Sequence, residues 1–265
     1  MAQPLVPDEL WAKVASLFPP PKPRRDIYPG RKPLDRRKVL TGILFVLRTG
    51  IRWNDLPAEL GCGSGSRCRR YLKAWHRAGV WARLHAVLLA ELHEADRIDW
   101  SRAAVDSAHV RALGGGTETG PSPVDRGRLG SKHHAVVDPH GIPLAATTTA
   151  ANTPDGTALP RVVDAVPPVR GRRGRPRRRP RRLYADRAYD GDRHRAAMRR
   201  RRIAPQFARR RTPHGSGLGV FRWPVERFFA WLHRFRRLRL RTDRDDRMHD
   251  AFLTLAVCLI CFNYV

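Results

Sequence analysis

A chain of 265 residues has room for a catalytic-sized core and a smaller module beside it. Its 42% hydrophobic content and seven Trp exclude wholesale disorder. The 52 Lys and Arg against 24 Asp and Glu leave a net charge of +28, which suits a polyanionic partner such as nucleic acid or an anionic membrane.

The first residues show no basic-then-apolar leader before Asp8. A Pro-rich lead, Phe18 to Pro33, cannot hold regular structure for long, so organised helix is expected only after it. Arg36 to Arg48 carries Val39, Ile43, Leu44, Val46 and Leu47 at helical spacing and stops at Thr49-Gly50. A turn-rich segment follows, then a helix from about Ser66 to His76 with Cys68, Tyr71, Leu72 and Trp75 on one face. Its other face shows Arg70 and Lys73, with Arg77 just beyond. Val80 to Leu92 is a third amphipathic helix. Helices joined by a turn, the later one basic on its free face, describe a small all-α module of helix-turn-helix type at 1–98.

Past Asp96 to Trp100 the texture changes to short apolar runs of strand length. These are AAV before Asp106, HHAVV before Asp138, IPLAATTTA, RLYA before Asp186, and IAPQF. Helices are expected at Asp155–Val166, Asp190–Arg202, Arg222–Arg239 and Asp246–Asn263. Together they describe an α/β domain at 99–265, a mixed sheet flanked by helices. Between one helix and the RLYA strand lies RGRRGRPRRRPRR, Arg170 to Arg182, with nine Arg in thirteen residues broken by Pro and Gly. It is expected as a loop meeting DNA phosphates, through Arg172, Arg173, Arg175 and Arg177 among others. The last apolar run, Ala251 to Phe262, is interrupted by Thr254 and is short for a bilayer, which disfavours a membrane partner. The expected setting is the cytoplasm, on the nucleoid.

Cys258 and Cys261 form a CxxC inside that run with no second ligand pair at zinc-finger spacing, so they read as core thiols. Cys62 and Cys68 flank a Gly/Ser turn and read the same way. The acids are more informative. Asp106 and Asp186 each follow a short buried-type strand, where open α/β sheets form their sites, and paired divalent ions on phosphodiesters need hard carboxylate ligands from separate elements. Glu226 stands in a helix whose core stripe is Val225, Phe228, Phe229, Leu232 and Phe235; Arg222, Glu226 and His233 share the neighbouring stripe. On spacing alone, the Asp residues also suit turns or caps, and Glu226 with Arg222 suits an ordinary i, i+4 ion pair.

Several longer motifs narrow this. TGIRWNDLP (Thr49 to Pro57), VDSAHVRA around Asp106, GSKHHAVVDPHGIPLA (Gly130 to Ala145), LYADRAYD around Asp186 and TPHGSGLGVFRWPVERFFAWLHRFRRL around Glu226 occur in order. With them the chain resembles, essentially end to end, the bacterial insertion-sequence DDE transposases of family five within the wider family-four-like superfamily. The resemblance implies an RNase H-like catalytic core in which Asp106, Asp186 and Glu226 hold two Mg2+ ions, or Mn2+ in vitro. It also implies a partner in double-stranded DNA, both terminal inverted repeats and target, with Lys132 of GSKHH, Arg222 and His233 among the DNA-facing groups, and a homodimer or higher oligomer on that DNA. Three positions depart from the pattern. Gly219 stands where the wider signature has Tyr, His233 where it has Lys, and Asn152 is followed by Thr153, Pro154 and Asp155 rather than by a His-Asp pair. Three functions remain open: a transposase, a non-catalytic DNA-binding protein or inactive relic, and a metal-dependent nuclease without strand transfer.

Overall fold

The computed structural model describes residues 4–21, 26–28, 32–171, 173–211 and 219–265. Arg172, parts of the Pro-rich lead at 22–25 and 29–31, and residues 212–218 of the last motif lie outside the described residues.

Helix α1 (Asp8–Val14) precedes the Pro-rich lead, where no helix was expected. Its Asp8 and Glu9 in the first turn and Lys13 in the last match the helix dipole, and Leu10 and Val14 are buried. Helix α2 (Arg36–Thr49) begins where the Asp35 carboxylate accepts from the Lys38 amide at 2.9 Å, and ends at Gly50 in the left-handed region, φ 74°. Helix α3 (Gly65–Arg77) follows a turn so close that a Cβ on Gly65 would fall 1.7 Å from the Trp53 carbonyl oxygen. Helix α4 (Val80–Glu94) completes the helical half.

Among the described residues seven strands form one sheet. β1 (Arg102–Ala112), β3 (Leu129–Val137) and β4 (Pro143–Ala150) are antiparallel neighbours. A crossover through α5 (Asp155–Asp164) brings β5 (Arg182–Ala185) parallel to β1 on its other side, and α6 (Asp192–Arg200) leads to β6 (Ala204–Phe207), parallel to β5. Two-residue strands, β2 (Gly120–Pro121) and β7 (Leu240–Arg241), pair with β3 and β1. Three antiparallel strands continued by two parallel ones, with helices packed on the sheet, make this an RNase H-like fold.

The expected long helix at 222–239 is in fact two, α7 (Gly219–Leu232) and α8 (Arg236–Arg239). Phe235 adopts an extended conformation between them, so the chain turns and lays Arg237 and Leu238 into the core. Helix α9 (Asp246–Phe262) holds the last apolar run, packed against α4, α3 and β4. Apolar side chains from Val6 through Leu92 and from Ile98 through Cys261 form one continuous cluster. All four cysteines are buried free thiols, as the sequence suggested. Among the described residues no helix is long and apolar enough to cross a membrane.

Candidate active site

Register alone brings two of the acids level. β1 and β5 run parallel with Ala104 opposite Tyr184, and two residues further along each chain stand Asp106 and Asp186. β5 has ended by then, whereas β1 continues to Ala112 because β3 and later β7 still pair with it. Asp106 is thus mid-strand rather than at a strand end, but it lies where the parallel pairing stops, and an open position is left beside it. Asp186 caps the following 3-10 turn (Arg187–Tyr189), accepting from the Ala188 amide at 2.8 Å.

The third acid comes from α7. Arg222 donates to Asp106 at 2.8 Å and approaches Glu226 one turn on at 4.0 Å. The guanidinium therefore stands between the Asp106 and Glu226 carboxylates. Asp106 is largely buried, while the Glu226 side chain is 62% exposed. Burial pushes the Asp106 carboxyl above its ordinary range, the Asp186 charge adds to that, and Arg222 with the Ser107 amide pulls the other way. Among the described residues no three His, Cys, Asp or Glu side chains are close enough together to hold a metal ion. Asp106 and Glu226 meet on Arg222 instead. Their hard oxygens and the Asp106–Asp186 repulsion nevertheless suit a divalent cation in donor chemistry.

The candidate DNA-facing residues divide. On α3, Arg70 and Arg77 are exposed, but Lys73 is ion-paired with Asp245 at the start of α9. Lys132 is turned inward: its side chain is 6% exposed and pairs with Asp155 at 3.0 Å. His233 also faces inward, its Nε2 buried without a hydrogen-bond partner and its ring 5.9 Å from that of His133. Arg173, Arg175 and Arg177 are exposed on the Arg-rich loop, while Arg172 lies outside the described residues. That loop is pinned at its base, since Val169 and Arg177 exchange two backbone hydrogen bonds of 2.8 Å.

Three residues at the site escaped sequence reasoning. Ser107 follows Asp106 and donates to Asp155 at 2.8 Å, and the buried Tyr189 closes the turn that Asp186 caps. Ser107 and Tyr189 lie inside motifs already singled out; Asp155 was visible as the start of an expected helix and the end of a departure from the pattern, with no sign of its bond to Ser107.

Comparison with known proteins adds the remaining evidence. A family model described as "Transposase DDE domain" matches residues 101–261, and one described as "Putative transposase of IS4/5 family" matches residues 6–85. The chain is 59% identical over 149 residues to a putative transposase for insertion sequence element IS402 of Burkholderia cepacia, covering 56% of this chain and 71% of that protein. It is 60% identical over 123 residues to the insertion element IS402 uncharacterized 16.2 kDa protein of the same organism, covering 46% of this chain and 84% of the relative.

Proposed function

Since the chain belongs to the DDE transposases of the IS4/IS5 type, we propose that it binds the terminal inverted repeats of its own element, hydrolyses phosphodiesters at the element ends, and joins the freed 3′ hydroxyls to target DNA. It would do so on the nucleoid, in the cytoplasm, as an oligomer assembled on the DNA. The observation that carries this reading is the alignment of Asp106 and Asp186 across the parallel pair, with Arg222 reaching from α7 to Asp106 and towards Glu226.

Asp106, Asp186 and Glu226 are the residues that would hold divalent ions. When bound, Mg2+ or Mn2+ supplies Lewis-acid stabilisation of an in-line phosphoryl displacement. Arg222 has a role of its own. A guanidinium fork matches phosphate as well as carboxylate, so a DNA phosphate competes with Asp106 for it. Drawing Arg222 onto the phosphate holds the DNA beside the acids and frees the Asp106 carboxylate. Arg70 and Arg77 on α3 are suited to read the repeat, and the Arg-rich loop to grip backbone phosphates.

The test is a gel assay of the protein with an inverted-repeat duplex, a target duplex and Mg2+. Nicked and joined products are expected from the wild type. Asp106→Ala, Asp186→Ala and Glu226→Ala should each abolish both products while leaving repeat binding nearly intact, because binding rests mainly on Lys and Arg. Nicking without joining would identify a nuclease, and binding without nicking a plain DNA-binding protein.

A further inference from the structure

Helix α7 delivers Arg222 and Glu226, yet its first turns have incomplete backbone support. Pro224 lies inside the helix and has no amide to return to the Val220 carbonyl, so one hydrogen bond of the ladder is missing. Side chains have to make up the difference. Val220 and Trp223 are 73% and 45% exposed, and Arg222 is committed to Asp106. The apolar side chain left to hold this end of the helix is Phe221.

The Phe221 ring stacks on that of Tyr184, with centroids 4.6 Å apart and planes 26° from parallel, and the Arg102 guanidinium stands 5.1 Å from its centroid. Tyr184 belongs to β5 and Arg102 to β1, so one side chain of α7 rests on both parallel strands. Side chains alternate along extended backbone, which places Arg102 on the same face as Asp106, and Tyr184 on the same face as Asp186. Asp186 keeps that alternation because its own backbone is still extended. Phe221 and Arg222, adjacent in the helix, therefore meet the face that carries the acids side by side.

These two neighbours make different ties. Arg222 links α7 to β1 through a carboxylate, and a DNA phosphate that takes the guanidinium dissolves that link. Phe221 links α7 to β5 through a ring that is 7% exposed, and phosphate has no means of competing for it. We propose that Phe221 is a positioning residue of the acid site: its ring, seated on Tyr184 and Arg102, keeps the start of α7 against the strands bearing Asp106 and Asp186 once Arg222 has moved to the DNA, so that the helix goes on presenting Glu226 to them. This rests on reading the three acids as the reacting centre.

Two variants of the full chain test it: Phe221→Ala, which removes the ring, and Phe221→Tyr, which keeps it. Hydrogen exchange is followed at the amides of residues 222–232 and of α9, in the free protein and with an inverted-repeat duplex bound, and cleavage of that duplex is measured with kcat and KM separated. In Phe221→Ala the α7 amides should exchange at least threefold faster than in the wild type when free and at least tenfold faster on DNA, with α9 unchanged. Cleavage should lose at least tenfold in kcat with KM within threefold, since repeat binding rests on α3 and the Arg-rich loop. Phe221→Tyr should match the wild type in both measurements. A wild-type kcat in Phe221→Ala, the same losses in Phe221→Tyr, or faster exchange that spreads equally to α9 overturns the proposal. If the wild type neither binds nor cuts the duplex, the reading of the reaction fails separately, and the free proteins still decide: equal exchange in α7 with and without the ring overturns the role of Phe221.

Discussion

Arg237 pairs with Asp243 inside the core, Nε to Oδ2 at 3.1 Å with side chains 6% and 7% exposed, and also donates to the Ile51 carbonyl at 3.1 Å. Removing one member of a buried pair leaves the other charge uncompensated. Arg237→Ala should therefore cost about 3–5 kcal/mol of stability, read from urea unfolding. The buried histidines add a pH dependence. His133 and His249 share a hydrogen bond of 2.8 Å that requires one donor and one acceptor nitrogen. Burial lowers His249 to about 3 and His85 and His134 each to about 4, and it pushes His133 well below its ordinary range. In the unfolded chain these rings titrate near 6.5, so the stability they allow is complete above that pH and is lost as pH falls towards 4. The slope is about 1.4 kcal/mol per pH unit for each ring that charges on unfolding. Asp138, raised by burial to about 6, works the other way, favouring the fold as pH drops through that value. Four rings outweigh it, and the melting temperature should fall between pH 6.5 and 4.5. His249→Gln should flatten that fall; an unchanged profile would rule out this source of acid sensitivity. The resemblance put Lys132 of GSKHH among the DNA-facing groups, and spacing could not show that it is buried. β3 is covered on both faces, so its polar side chains are taken up by Asp155, His249 and Thr149 instead.

Two elements carry the proposed DNA recognition, and they should respond differently. Helix α3 is a rigid scaffold able to aim Arg70 and Arg77 at base edges. Replacing both with Ala should cost about 1–3 kcal/mol for each base edge no longer read on the inverted repeat, and much less on a scrambled duplex. The Arg-rich loop, with Pro and Gly between its guanidiniums, suits phosphates. Replacing Arg173, Arg175 and Arg178 with Gln should weaken binding to every sequence alike and make the salt dependence shallower by about 0.9 per phosphate released on B-DNA. Affinity measured against salt for specific and scrambled duplexes separates the two. Most element types were legible from periodicity, including the stop at Gly50 and the strand before Asp186, whereas the strand at Asp106 runs on past the acid because β3 continues to pair with it. Helix α1 was missed because it is short and lies before the Pro-rich lead. The break between α7 and α8 was missed because Phe235 and Leu238 continue an apolar spacing that the backbone does not follow.

Across the whole molecule, the boundary expected at 98/99 falls between α4 and β1, yet the apolar core runs through it. Periodicity marked α9 as buried but gave no sign of its partners, chiefly α4, β4 and α3. Deleting residues 1–98 would therefore strip α9 of half its cover. The truncated chain should lose its cooperative thermal transition and bind a dye for exposed apolar surface, and a sharp melt from that fragment would show instead that the sheet and its helices stand alone.

The same helix sets a schedule for synthesis. The Cys258 thiol meets the Trp81 carbonyl across 177 positions of sequence. At about 5–20 residues per second, roughly 10–35 s pass between the emergence of α4 and the arrival of its partner. Throughout that interval the part of α4 that packs on α9 is uncovered on a nascent chain rich in arginine, beside the polyanionic RNA of the ribosome making it. A helper that shields apolar segments during translation should raise the yield of folded protein more than one added after release.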